Sequence, residues 1–262
     1  MLLILFGISI GTGISVKPEI PTLYLTTNDN PIWIEATNII QLVLAEQLGI
    51  NVEVRVYPWI QYLYGQLLPG EIFPDITTIP SGEPQWRYSE ELGMDLPIGW
   101  DMTLVFLAGG GYDPPWFIFN TSSVLNLGGY SNHAYDNLGT QLDALDIDWY
   151  APGGSLETLD PEARDLLFAL QIQFYQNPPA LNIVSRNPYT GPWGRNWLFL
   201  YFNFDNPYLT KQLRRKIRTV IPEEEILLLM PPDQGWGITS TFMSYGNPYL
   251  DPKFMLGGVF AP

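Results

Sequence analysis

The sequence predicts an α/β protein with a mixed, largely parallel sheet, and three stretches carry the prediction. Thr22–Thr27 (TLYLTT) and Asn51–Tyr57 (NVEVRVY) alternate as strands do, and the residues between them repeat apolar side chains at helical spacing. Strand, helix and strand joined by links this short form a βαβ unit, whose strands run parallel. Trp100–Ala108 (WDMTLVFLA) is a continuous apolar run, the pattern of a strand buried on both faces.

Each element has its own signal. Leu2–Val16 is apolar and rich in small residues, but too short and Gly-broken for a membrane span. No Lys or Arg precedes Lys17, so residues 1–20 read either as an apolar leader or as the edge of a domain that begins upstream. Asn30 is placed to cap the first helix, with Pro31 at its first position and Gly49 just past its end. Ile32, Ala36, Ile39, Ile40, Val43, Leu44 and Leu48 form its apolar stripe. Leu68–Asp95 reads as a long loop, with Trp86 and Arg87 either in a lid or in a surface insertion without a role.

The Trp100–Ala108 strand delivers the turn Gly109–Gly111. Ligands of open α/β sheets sit at the carboxyl ends of strands, which marks this turn as a site location. Asp160-Pro161 opens a second long helix with Ala163, Leu166, Leu167, Leu170 and Phe174 inward, stopped by Asn177-Pro178. Pro179–Ser185 and Leu198–Asn203 read as strands. Leu209–Val220 is a basic helix, and Pro222 opens another segment to Met230. The expected division is 1–20, a lobe over 21–195, and a segment 196–262 belonging to a partial second lobe.

Composition excludes several functions. The net charge of −15 argues against nucleic acid and anionic lipid, which require basic surface. With no Cys, thiol catalysis, disulfides and Cys-ligated zinc are out; with one His, so is a multi-His metal centre. No cofactor is expected. Aromatics reach 14%, with nine Trp, which fits either a lined groove or an aromatic core.

The stretch Gly109–Asn137 holds the richest set of binding groups. Tyr112-Asp113-Pro114 follows the glycine turn, and Gly129-Tyr130-Ser131-Asn132 precedes Tyr135-Asp136. These residues resemble the extracellular solute-binding proteins of ABC importers, family 5 (the peptide, nickel and oligosaccharide type). That family often shows W-x-A-D-Y-x-D-P followed by G-Y-S-N-x-x-Y-D. Leu44–Val54 (LAEQLGINVEV) with Trp59 and Tyr62 is similar to another family segment, and Asp160, Pro161 and Arg164 to a third. Phe202-Asn203 with Pro207, Leu213–Ile226 and Asn247–Pro252 follow the family's other lobe, in an order the family does not usually have.

The resemblance implies a periplasmic-binding-protein-like lobe plus a partial second lobe, outside the cytoplasm. Its partners would be a small solute (a peptide, an oligosaccharide or a metal chelate) and the permease subunits of an ABC transporter. Closure of two lobes around the solute would signal to that transporter. The candidate ligand-binding residues are Trp59, Gly111, Asp113, Trp116, Tyr130, Ser131 and Asn132, with no catalytic residue. Gly111 stands where peptide-binding relatives often carry the Asp that holds a ligand amine.

Each candidate has a structural alternative. Asp113 can brace its turn, Asn132 can cap the helix at His133–Leu138, and Trp59 and Trp116 can be core. Two other functions stay open: a secreted glycosidase-like enzyme with a carboxylate pair among Trp platforms, and an interaction module without a ligand.

Overall fold

A computed structural model describes residues 20–109, 114–186 and 195–254 of the chain. The Leu2–Val16 run and the candidates Gly111 and Asp113 lie outside the described residues. Strand β1 (Leu23–Asn28) and strand β2 (Val52–Tyr57) pair in parallel, joined through helix α1 (Pro31–Leu48). The predicted signals set the helix ends. Asn30 Oδ1 accepts the Ile32 N–H at 2.9 Å. Gly49, at φ 65°, takes the left-handed conformation that ends the helix, and its N–H donates to the Ala45 carbonyl at 3.1 Å.

The expected loop Leu68–Asp95 is more structured than its composition predicts. Helix α2 (Trp59–Gln61) runs into a π-helical turn, Tyr62–Leu67, and then helix α3 (Pro69–Ile72). Strands β3 (Gln85–Ser89) and β4 (Met94–Ile98) form an antiparallel hairpin. Gly93 at φ 63° makes its turn, with the Gly93 N–H on the Ser89 carbonyl at 2.9 Å. The hairpin hides in the sequence because Gln85–Tyr88 is exposed throughout, so the alternation of Trp86 and Tyr88 with Gln85 and Arg87 marks no buried face.

Strand β5 (Met102–Gly109) follows, then a 3₁₀ turn at Trp116–Phe119, helix α4 (His133–Asp143) and helix α5 (Pro161–Gln176). Strand β6 (Ala180–Arg186) and strand β7 (Arg195–Phe202) lead to helix α6 (Lys211–Val220), helix α7 (Glu223–Leu227) and the two-residue strand β8 (Trp236–Gly237). The six-stranded sheet has the order β2-β1-β5-β7-β6-β8.

The sheet is mixed, as expected, but parallel pairing is confined to β2, β1 and β5. The pairs β5/β7, β7/β6 and β6/β8 are antiparallel. It follows that β1, β2, β5 and β6 all point one way, and that β7 enters between two of them in reverse. The segment 196–262, expected in a second lobe, therefore contributes its first strand to the middle of this sheet.

Both faces of the sheet are covered. Along β7, Trp197, Phe199 and Tyr201 enter one core while Leu198, Leu200 and Phe202 enter the other. The first core is packed by α4, α5 and the 3₁₀ turn, and it collects Trp100, Trp116, Tyr130, Tyr135, Phe119, Phe174 and Phe242. The second is mostly aliphatic, with Trp33 and Phe202 among its members, and is packed by α1, α6 and α7. Much of the aromatic excess is thus core. Among the described residues no helix is long and apolar enough to cross a membrane.

Two buried polar residues fix the edges of these layers. The Asp101 carboxylate accepts the Tyr24 N–H, the Gly82 N–H and Asn206 Nδ2 at 2.8, 2.8 and 2.7 Å. Asn182, beside a bulge in β6, donates to Thr239 Oγ1, the Thr241 carbonyl and the Met243 carbonyl. Two of the five basic residues of α6 are also structural. Arg214 and Arg218 donate to backbone carbonyls of the neighbouring segments, while Lys211, Arg215 and Lys216 stay exposed.

Candidate functional site

A crevice of about 420 Å³ opens at the carboxyl ends of the parallel strands, lined by Asn28, Asp29, Asn30, Trp33, Trp59 and Phe106. Its place follows from the strand order. The chain leaves β1 through α1 to β2 on one side, and β5 lies on the other side of β1. The connections at the end of β1 therefore diverge, and divergence at a strand end leaves a gap where ligands of α/β sheets bind.

The floor comes from α1 and β5. Trp33, in the first turn of α1, stacks on Phe106 of β5 with ring centroids 5.3 Å apart and planes 22° apart. Trp33 is only 8% exposed, so the stack is a rigid base. Trp236 also approaches Phe106, with centroids 6.3 Å apart.

The wall is Trp59, 49% exposed, at the start of α2 directly after β2. Its ring lies 6.3 Å from that of Tyr62. The Tyr62 hydroxyl is itself anchored on β5, within 2.8 Å of both Thr103 Oγ1 and the Leu104 carbonyl. Burial pushes the Tyr62 hydroxyl well above its ordinary pKa, so it stays protonated as a donor.

The rim is Asn28–Asp29–Asn30. Asn28 Oδ1 accepts the Asn30 N–H at 2.9 Å, and Asn30 Oδ1 caps α1. With these oxygens engaged locally, the amide NH₂ groups are what the two asparagines have left for a solute. Asp29 is exposed, and its carboxylate has no hydrogen bond or ion pair among the described residues. Among the described residues, no Lys, Arg or His lines the crevice. The arrangement offers apolar contact, hydrogen bonds and one negative charge. It holds one carboxylate from the described residues.

Of the predicted site residues, Trp59 lies in this crevice. The others that are described do not line it, and Trp116, Tyr130 and Asn132 make contacts within the fold. Trp116 is buried; its Nε1 donates to Asp143 Oδ1 at 3.0 Å and its ring packs on Gly139 of α4. Tyr130 is buried between Tyr135 and Phe204, and its hydroxyl accepts Asn132 Nδ2 at 2.5 Å. Burial raises its pKa above the ordinary value. Asn132 caps α4, accepting the Tyr135 N–H at 3.2 Å. Ser131 is exposed on that same turn.

Of the Gly109–Gly111 turn, expected to group with Tyr130–Asn132, Gly109 alone is described, and it lies at the other end of β5 from Gly128. Gly128 packs against the Phe202 carbonyl, and Phe202 pairs with Met102, the first residue of β5. Gly109 is the last residue of β5. The length of the strand, roughly 20 Å at about 3.3 Å per residue, separates the two ends. Gly128 and Gly129 border a separate hollow of about 260 Å³ near Leu67, Ile79 and Asp205.

Asn28, Asp29, Asn30, Trp33 and Phe106 were not expected at the site. Asn30 carried a helix-cap signal and Phe106 lay in a predicted strand, which accounts for each locally, while Trp33 carried no signal of its own. Only the strand order reveals that they share a crevice. No protein-family model, curated protein or solved structure matches the chain at a significant level.

Proposed function

We propose that the chain is an extracytoplasmic solute-binding protein. It would hold a small solute (a peptide, an oligosaccharide or a metal chelate) in the crevice at the carboxyl ends of β1, β2 and β5, for delivery to an ABC importer. The observation that carries this reading is the crevice itself: preformed, aromatic-walled, and set at the divergence of the chain connections. The family resemblance over Thr22–Ser185 supports it, since Trp59 belongs both to that resemblance and to the crevice wall. A periplasmic-binding-protein-like lobe is the finer fold that goes with this function. Binding needs no covalent chemistry, and the described lining offers contacts and one carboxylate for holding a solute.

Thermal unfolding against a panel of peptides, oligosaccharides and metal chelates tests the reading. A solute at about 100 times its dissociation constant adds roughly 2.7 kcal/mol to stability. The expected result is a raised midpoint with one class, without turnover, and loss of that shift in Trp59→Ala. A folded sample whose midpoint no class moves would sink the proposal. So would a shift that Trp59→Ala leaves intact, because binding would then lie elsewhere.

A further inference from the structure

We infer that the solute the crevice selects is an organic ammonium cation, an inference that rests on the solute-binding reading above. Asp29 is the crevice's one full charge among the described residues, and it has no cationic neighbour there to neutralise it. A solute that brings its own positive charge satisfies that carboxylate; a neutral or anionic one leaves it unpaired. Trp59 stands in the same crevice, half-exposed, and indole is the ring that attracts cations most strongly through its π face. A carboxylate beside an aromatic wall is the combination that recognises ammonium head groups.

The opposing effect is the start of α1, since a helix amino terminus carries about half a positive charge and favours anions. Here its donors are largely withdrawn. Pro31 has no N–H, and the Ile32 N–H is already held by Asn30 Oδ1. What remains is weaker than the full charge on Asp29. The net charge of −15 adds a negative field that draws cations from a distance. The Trp33–Phe106 stack supplies apolar surface for the body of the solute, and the Asn28 and Asn30 amides supply donors for an acceptor beside its cationic group.

The test compares choline with 3,3-dimethylbutan-1-ol, which has the same shape without the charge. Calorimetric titration of the full chain should give choline at least a tenfold lower Kd. Asp29→Asn should reduce that ratio to near one, and rising salt should weaken choline but not the alcohol. Trp59→Ala should weaken both. Equal affinity for the two probes overturns the cation inference, as does discrimination that survives Asp29→Asn. If neither probe binds while a neutral solute of the panel does, and Trp59→Ala abolishes that binding, the cation inference falls and the solute-binding reading stands. If nothing binds, both fall.

Discussion

The guanidinium of Arg214 lies over the ring of Phe204, its carbon 4.2 Å from the ring centroid, and so ties α6 to the turn after β7. Its nitrogens donate to the Pro178 carbonyl, the Leu209 carbonyl and Asn177 Oδ1 at 2.9, 2.5 and 2.6 Å. A lysine cannot reproduce this fork. Arg214→Lys should cost about 2 kcal/mol in urea unfolding, from lost hydrogen bonds and stacking. The exposed neighbour substitution Arg215→Lys should stay within about 0.5 kcal/mol. Equal effects would mean that the Arg214 contacts carry no weight.

Asp101 joins three segments by accepting from Tyr24, Gly82 and Asn206. Asp101→Ala leaves those donors without their acceptor inside the protein, at about 1–3 kcal/mol for each buried one. A loss of at least about 3 kcal/mol is expected. Asp101→Asn keeps one acceptor oxygen and should fall between wild type and alanine. Urea midpoints in that order would support the account, and a neutral alanine variant would refute it.

Gly139 sits inside α4, where alanine is normally better by about 1 kcal/mol. A Cβ at Gly139 would strike the ring of Trp116. Because that indole is buried and bonded to Asp143, it has little room to yield. Overpacking of about 1–3 kcal/mol should win, so Gly139→Ala should lower the thermal midpoint. A raised midpoint would show that the ring moves freely.

Burial pushes the Glu223 carboxyl from 4.5 up to about 8, against the pull of Arg218. Between these pH values the unfolded chain has lost this proton while the folded one keeps it. The folded state then binds more protons, so this group's contribution to stability falls as pH rises from about 4.5 to about 8. Glu223→Gln lacks the effect. The variant should match wild type near pH 4 and gain on it steadily up to the top of the window. Glu224 and Glu225, both exposed, serve as controls. Parallel melting curves for Glu223→Gln and wild type would rule out the buried titration.

Local chemistry made much of the fold legible. Asn30, Pro31 and Gly49 bound α1, and Asp160 with Pro161 starts α5, because caps depend on neighbours a few residues away. The hairpin β3–β4 was illegible because β3 is exposed over Gln85–Tyr88, and β4 adds only Leu96 and Ile98 as buried members of a hydrophobic cluster, within a Pro- and Gly-rich stretch. At the site, Trp59 was legible from its place after an alternating strand. Asp29 and Phe106 were not, since residues so far apart in the chain meet only once β5 has crossed to the far side of β1. Tyr130 and Asn132 misled because a tyrosine hydroxyl and an asparagine amide serve one another and a helix cap as well as they would serve a solute.

The reversed strand at the centre of the sheet bears on how the protein comes off the ribosome. Parallel pairing of β1, β2 and β5 is complete in sequence by Gly109, and β5 then presents a bare edge until Arg195–Phe202 emerges. At about 5–20 residues per second, that exposure lasts roughly 5–20 s, long enough for an open strand to meet another nascent chain. The order of synthesis thus makes β5 the place where this chain most needs protection before it is finished.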